Sequence, residues 1–194
     1  MNKKSFIFIG RSGCGKGTQA KLLSDYLKKT DPNRDVLYIQ SGGEIREFIK
    51  GDSETQRISK KIYQEDKLQP EFLAVYMWVN VLIKKYTGNE HLIFDGSPRK
   101  ADEANILNSI FDFYGLDSPF VIFLDISEES VTKRLALRGR MDDSKNGIEK
   151  RLAWYSSEVM PALDFYRNNK KYTFLTIDGE RLTEEIHKDI VSKI

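Results

Sequence analysis

The stretch Gly10-Arg11-Ser12-Gly13-Cys14-Gly15-Lys16-Gly17-Thr18 restricts the possible folds of this chain more than any other. It follows a short apolar, β-prone run, Ser5 to Ile9, and opens a helical segment from about Lys16 to Lys29. Glycines at 10, 13, 15 and 17 let the backbone curl without Cβ clashes, so that successive N–H groups face one anion. The helix beginning there adds the partial positive charge of its N-terminus, and Lys16 has the reach to touch the outer phosphates of a nucleotide. The strict form of such a loop has Ser or Thr directly after the lysine; here Gly17 intervenes and Thr18 follows. Gly13, Cys14, Gly15, Lys16, Gly17 and Thr18 are the expected phosphate-binding run, with the Cys14 side chain read as incidental rather than nucleophilic.

The rest of the chain alternates short β-rich runs with longer helical ones. Strands are expected at Val36 to Gln40, His91 to Phe94, Phe120 to Asp125 and Tyr172 to Ile177. Helices are expected within Ile45 to Gln64, from Pro70 to about Tyr86, Lys100 to Tyr114, Ser127 to about Leu137, Ile148 to Asn168 with Pro161 as a break or start, and Thr183 to Lys193. Arg138 to Gly147 is polar and turn-like. Five strands separated by helices, with near-continuous apolar runs, predict an α/β fold: a five-stranded parallel sheet with helices on both faces, in three layers. Ligands of such sheets bind at the carboxyl ends of the strands, where Gly10, Gln40-Ser41, Asp95 and Asp125 stand.

Composition narrows the partners. Thirty-one Lys and Arg against twenty-nine Asp and Glu leave a net charge of +2, without the basic excess expected for a nucleic-acid partner. No apolar run is long enough to span a bilayer, and Phe6 to Ile9 is too short for a signal-peptide core. With a single cysteine no intramolecular disulfide is possible, which suits a reducing cytoplasm. His91 and His187 carry no partner pattern and are read as structural or surface; Trp78 and Trp154 are read as core residues.

Beyond the loop, the residues resemble the adenylate kinase family over almost the whole chain. Gly17-Thr18-Gln19 completes its GKGTQ run. Gln40 to Arg46 resembles its S-T-G-D-x-x-R segment, Lys67-Leu68-Gln69-Pro70 its G-x-L-V-P, and Asp95-Gly96-Ser97-Pro98-Arg99 its D-G-F-P-R. Arg138-Gly139 and Arg140-Met141-Asp142-Asp143 resemble the two ends of a very short lid, Lys150-Arg151-Leu152 its K-R-L, and Asp178-Gly179 its final D-G. The resemblance implies a P-loop NTPase fold and one nucleoside monophosphate kinase domain over 1–194. It further implies a mobile monophosphate-binding insertion at about 41–70 and a short lid at about 138–147. The implied reaction moves the γ-phosphoryl of Mg-ATP to AMP, giving two ADP. The alternatives are another monophosphate such as GMP or a pyrimidine nucleotide, or an ATP-binding P-loop module without turnover. A switch GTPase is set aside because neither Asn-Lys pair is followed by aspartate two residues on.

By the same resemblance Lys16, Arg99, Arg134, Arg140, Arg151, Asp142 and Asp143 are the catalytic candidates. The loop with Arg134, Arg138 and Arg181 would hold ATP. Ser41, Arg46, Lys67, Leu68, Gln69, Gly96, Arg99, Glu103, Arg140 and Arg151 would hold the monophosphate, and Asp95 would hold magnesium through water. No zinc is expected, since the lid lacks a cysteine quartet. A cytoplasmic monomer is implied. The chemistry suits the residues, because phosphoryl transfer needs positioning and charge stabilisation and arginine supplies a permanently charged fork. Departures touch the acceptor pocket: Glu103 stands where the family reads the base with glutamine, Asp66 replaces a glycine, Gln69 a valine and Ser97 an aromatic. An ionised Glu103 would complement guanine; a protonated one, or one turned away, is compatible with adenine.

Overall fold

The computed structural model describes residues 2–139 and 145–194. Five parallel strands, β1 (Ser5–Ile9), β2 (Val36–Gln40), β3 (His91–Asp95), β4 (Phe120–Asp125) and β5 (Thr173–Asp178), form one sheet in the order β2-β3-β1-β4-β5. The register sets Phe8 beside both Asp95 and Ile122, and Gln40 beside Asp95. The helices are α1 (Lys16–Thr30), α2 (Ser41–Phe48), α3 (Glu54–Gln64), α4 (Glu71–Lys85), α5 (Ala101–Phe113), α6 (Glu128–Arg138), α7 (Lys145–Trp154), α8 (Met160–Arg167) and α9 (Thr183–Ser192), with a π-helical turn at Tyr155–Val159.

Strand alternation sorts the core into two layers. Ile7, Ile9, Leu92, Phe94, Val121 and Phe123 face one side, where Trp78 of α4, Leu107 and Phe111 of α5 and Tyr166 of α8 cover them. Phe6, Phe8, Ile93, Ile122 and Leu124 face the other, under Leu23 and Leu27 of α1, Val131 of α6 and Ile186 and Ile190 of α9. Each fully buried side chain of this kind stabilises by roughly 1.5–3 kcal/mol. A third, small core joins Ile45 of α2 to Leu73 and Met77 of α4, with Tyr63 of α3 packed on it; the segment 41–70 is thus packed on α4.

Two expectations are refined. Ile45 to Gln64 is two helices, the second opened by a capping box in which Ser53 and Gln56 satisfy each other's backbone N–H. Arg138 to Gly147, read as turn-like, already turns helical at Lys145; residues 140–144 lie outside the described residues. Pro161 marks a helix start, one of its two expected roles. A proline lacks the N–H for an i−4 bond and its ring crowds that carbonyl; here the turn before it widens, with Met160 N–H donating to Tyr155 O, and Pro161 falls in the first turn of α8. No described helix is long and apolar enough to cross a membrane.

Candidate active site

A cleft of about 890 Å³ opens at the carboxyl ends of β1, β2 and β3. One wall is the glycine loop. Gly13 has φ +85 and Gly15, the residue before α1, has φ +100, a region where L side chains are strained. A Cβ on Gly13 would also lie 2.7 Å from Leu135 Cγ on α6. Lys16 Nζ donates to the carbonyls of Gly10 and Arg11, both at 2.8 Å, holding its charge over the loop. At Gly17, where the strict loop has Ser or Thr, a Cβ would come within 3.2 Å of Asp95 Oδ2, a tight approach. Gly13, Gly15, Lys16, Gly17 and Thr18 all line the cleft. Cys14 does not; its side chain is 1% exposed and packs in the α1 layer, so only its backbone belongs to the loop.

The rest of the lining is rich in cations: Arg46 from α2, Arg99 from the loop after β3, Arg151 from α7, and Arg134 and Arg138 of α6. Arg99 Nε donates to Gly96 O at 2.9 Å and its guanidinium carbon sits 5.7 Å from the Trp154 ring centroid. Burial pushes the Arg99 pKa down, opposed by Glu103 and Asp95 and assisted by Arg151 and Arg46; an anion bound there would relieve the strain of three neighbouring cations. Arg151 reaches Ser12 Oγ at 3.5 Å and Asp66 Oδ1 at 4.0 Å. Asp66 has φ +56, the left-handed conformation that makes glycine the usual occupant and that Asp tolerates better than most. Arg134 Nη2 donates to Gly179 O at 2.9 Å.

Asp95 closes the floor. Its Oδ2 accepts from Tyr38 O–H at 2.7 Å and from Gln40 Nε2 at 3.0 Å, while Oδ1 takes no hydrogen bond among the described residues. Sequence reasoning set Gln40 at the ligand end of the sheet but gave neither it nor Tyr38 a role on Asp95. Their signal was two polar groups at alternate positions on β2, the second in register with Asp95.

Several expected residues lie off the cleft wall. Ser41 is buried and its hydroxyl donates to Gly96 O at 2.8 Å. Glu103 is 3% exposed and its Oε2 accepts the Arg99 N–H at 3.2 Å; burial raises its pKa, with Glu71 adding to the rise and Arg99 and Lys100 opposing it. Arg181 is tied to Asp189 at 2.6 Å and Asp178 at 3.5 Å and does not line the cleft. Lys67, Leu68 and Gln69 do line it, although Gln69 commits its amide to Ser59. Gly96 lines it as well. Arg140, Asp142 and Asp143 are outside the described residues. Trp154, read as core, packs on the core with one side and lines the cleft with the other.

An anion-cradling loop, a parallel sheet and arginines lining the same cleft define a P-loop phosphotransferase. A family model described as Adenylate kinase matches residues 8–171. Among curated proteins, the Adenylate kinase of Prochlorococcus marinus (strain MIT 9515) is 32% identical over 99% of both chains. Adenylate kinase 1 of Nostoc sp. (strain PCC 7120 / SAG 25.82 / UTEX 2576) is 30% identical over 95% of both, and the Adenylate kinase of Encephalitozoon cuniculi (strain GB-M1) is 32% identical over 98% of this chain and 99% of its own. The chain belongs to the adenylate kinase family, and is a phosphotransferase of that family.

Proposed function

We propose that the chain passes the γ-phosphoryl of Mg-ATP to AMP, giving two ADP. The observation that carries this reading is the pairing of Lys16 and its loop with Arg46, Arg99 and Arg151 in one cleft. A phosphoryl donor and a phosphorylated acceptor are both polyanions, and a cleft lined by Lys16 and these arginines supplies the charge that would hold the two side by side. Arg134 and Arg138, which line the same cleft, would steady the transferring group. Arg140, Asp142 and Asp143 are assigned with them from the resemblance alone, as are Arg181 and the closing movement of the 41–70 and 138–147 segments. The acceptor oxygen attacks directly, so no covalent nucleophile is needed.

Magnesium fits this site. It is a hard cation that keeps most of its waters and takes few protein ligands, and Asp95 has one oxygen fixed by Tyr38 and Gln40 and the other open to the cleft. Asp95 would hold the ion through water, where it would neutralise charge on the donor phosphates.

The burial of Glu103 supports AMP over guanine nucleotides, because it favours the neutral acid and holds the carboxyl away from the cleft wall. The reading includes a cytoplasmic monomer. It is tested by offering AMP, GMP, CMP and UMP singly with Mg-ATP and measuring ADP. Turnover with AMP well above the others is expected; a preference for GMP would return Glu103 to the base, and turnover with none would leave an ATP-binding module.

A further inference from the structure

Trp154 holds an unusual position among the cleft residues. It is the last residue of α7, one turn beyond Arg151, and its indole N–H is buried without a hydrogen-bond partner. Trp78, wholly inside the core, leaves its indole N–H unpaired as well, so what sets Trp154 apart is its place on the cleft wall. Its spacing of three residues from Arg151 sets both on one face of α7, and the π-helical turn that follows brings a further residue to the same wall. In an α-helix residues five apart diverge, but with i→i+5 bonding they stand one above the other, and Trp154 and Val159 both line the cleft.

What the indole meets there is Arg99. The guanidinium carbon, 5.7 Å from the ring centroid, is within the range of a cation–π contact. Arg99 fixes its Nε on Gly96 O, and among the described residues its terminal nitrogens meet no carboxylate within ion-pair distance. A carboxylate partner would hold Arg99 equally well but would compete with a phosphate for the same N–H groups. An aromatic face attracts the cation through its quadrupole and takes none of those donors.

We infer that Trp154 is a positioning residue for the acceptor phosphate, holding the Arg99 guanidinium by its ring face and leaving the terminal N–H groups for the ligand. The inference rests on the assignment of Arg99 to the nucleoside monophosphate. AMP is titrated calorimetrically into the wild-type chain, W154F, W154L, R99M and the W154L/R99M double variant, and steady-state KM values for AMP and ATP are measured beside it. W154L is expected to weaken AMP roughly three- to thirtyfold, with KM for ATP within about twofold, and W154F to recover most of the loss. In the R99M background W154L should cost nothing further, a coupling that general damage to packing would not give. Equal AMP affinity in wild type and W154L, equal losses in W154F and W154L, a matching rise in KM for ATP, or an undiminished W154L effect without Arg99 would each overturn it. A wild-type chain that neither binds nor phosphorylates any nucleoside monophosphate would instead refute the assignment of the cleft, and this inference with it.

Discussion

Glu103 shows how one buried group can carry two different expectations. By position it stands where a base would be read, yet its carboxyl turns toward the Arg99 N–H and is almost wholly enclosed. Burial raises its pKa, so the folded chain binds this proton more tightly than the unfolded one. Stability from this residue is therefore intact below the ordinary glutamate pKa and falls as pH climbs from that value to the raised one. E103Q keeps an acceptor for the Arg99 N–H and removes the titration. Its Tm should match wild type near about pH 4 and exceed it by a few degrees at neutral pH; a gap that stays the same across that range in scanning calorimetry would show that the carboxyl does not titrate there. The position was legible in the sequence. The direction of the side chain was not: its bond to Arg99 N–H is only four residues away, but it depends on the conformation of the loop after β3 where it enters α5, which residue spacing does not carry.

At the scale of elements, α6 is anchored by its neighbour across the sheet end. Ser127 caps it through Ser130 N–H, and the Glu180 carboxylate accepts from Ser127 N–H at 2.8 Å. Bonds from Ser130 and Ser127 bring the Glu180 pKa down to about 2. A depressed carboxyl contributes stability that is present above the unfolded glutamate value and is lost as pH falls toward the folded one. E180Q should thus lower Tm at neutral pH, with the difference from wild type closing as acid is added; a difference unchanged by pH would place the effect elsewhere. Most elements here could be read from local pattern: the strands alternate cleanly between two helix layers, and β2 and β4 match their expected ends. The π-helical turn could not be. Pro161 announces a disturbance, but whether the chain breaks, kinks or widens is decided by Tyr155 and Val159 finding places in the core. Trp154, just before that turn, read as simple core because half of it does pack there; its other contact, with the cleft, forms only in the folded chain.

For the whole molecule, the site is built from parts far apart in sequence: the loop after β1, the start of α2, the loop after β3 and the helices flanking residues 140–144. Two ligands that bridge these parts should stabilise the fold as a unit. For one ligand at a hundred times its Kd the gain is about 2.7 kcal/mol, or roughly 5–10 °C in Tm for a chain of this size. Magnesium-free ATP and AMP, added singly and then together, should each raise Tm; if AMP has no effect alone or on top of ATP, the arginine wall does not bind it. The parallel sheet and the phosphate loop were plain from the sequence because each is a contiguous signal. The Tyr38–Gln40–Asp95 floor was not, since it forms only once two strands lie side by side.

Gly13 has a second consequence. Its missing side chain is where Leu135 of α6 rests, 2.7 Å from the position a methyl group would take. The phosphate loop therefore acts as a bearing for the helix that carries Arg134 and Arg138. A side chain at residue 13 would do more than roughen the anion cradle: it would lift the seat of α6 and carry both arginines out of alignment, so that a defect planted on the donor side would be felt across the gap where the phosphoryl group must travel.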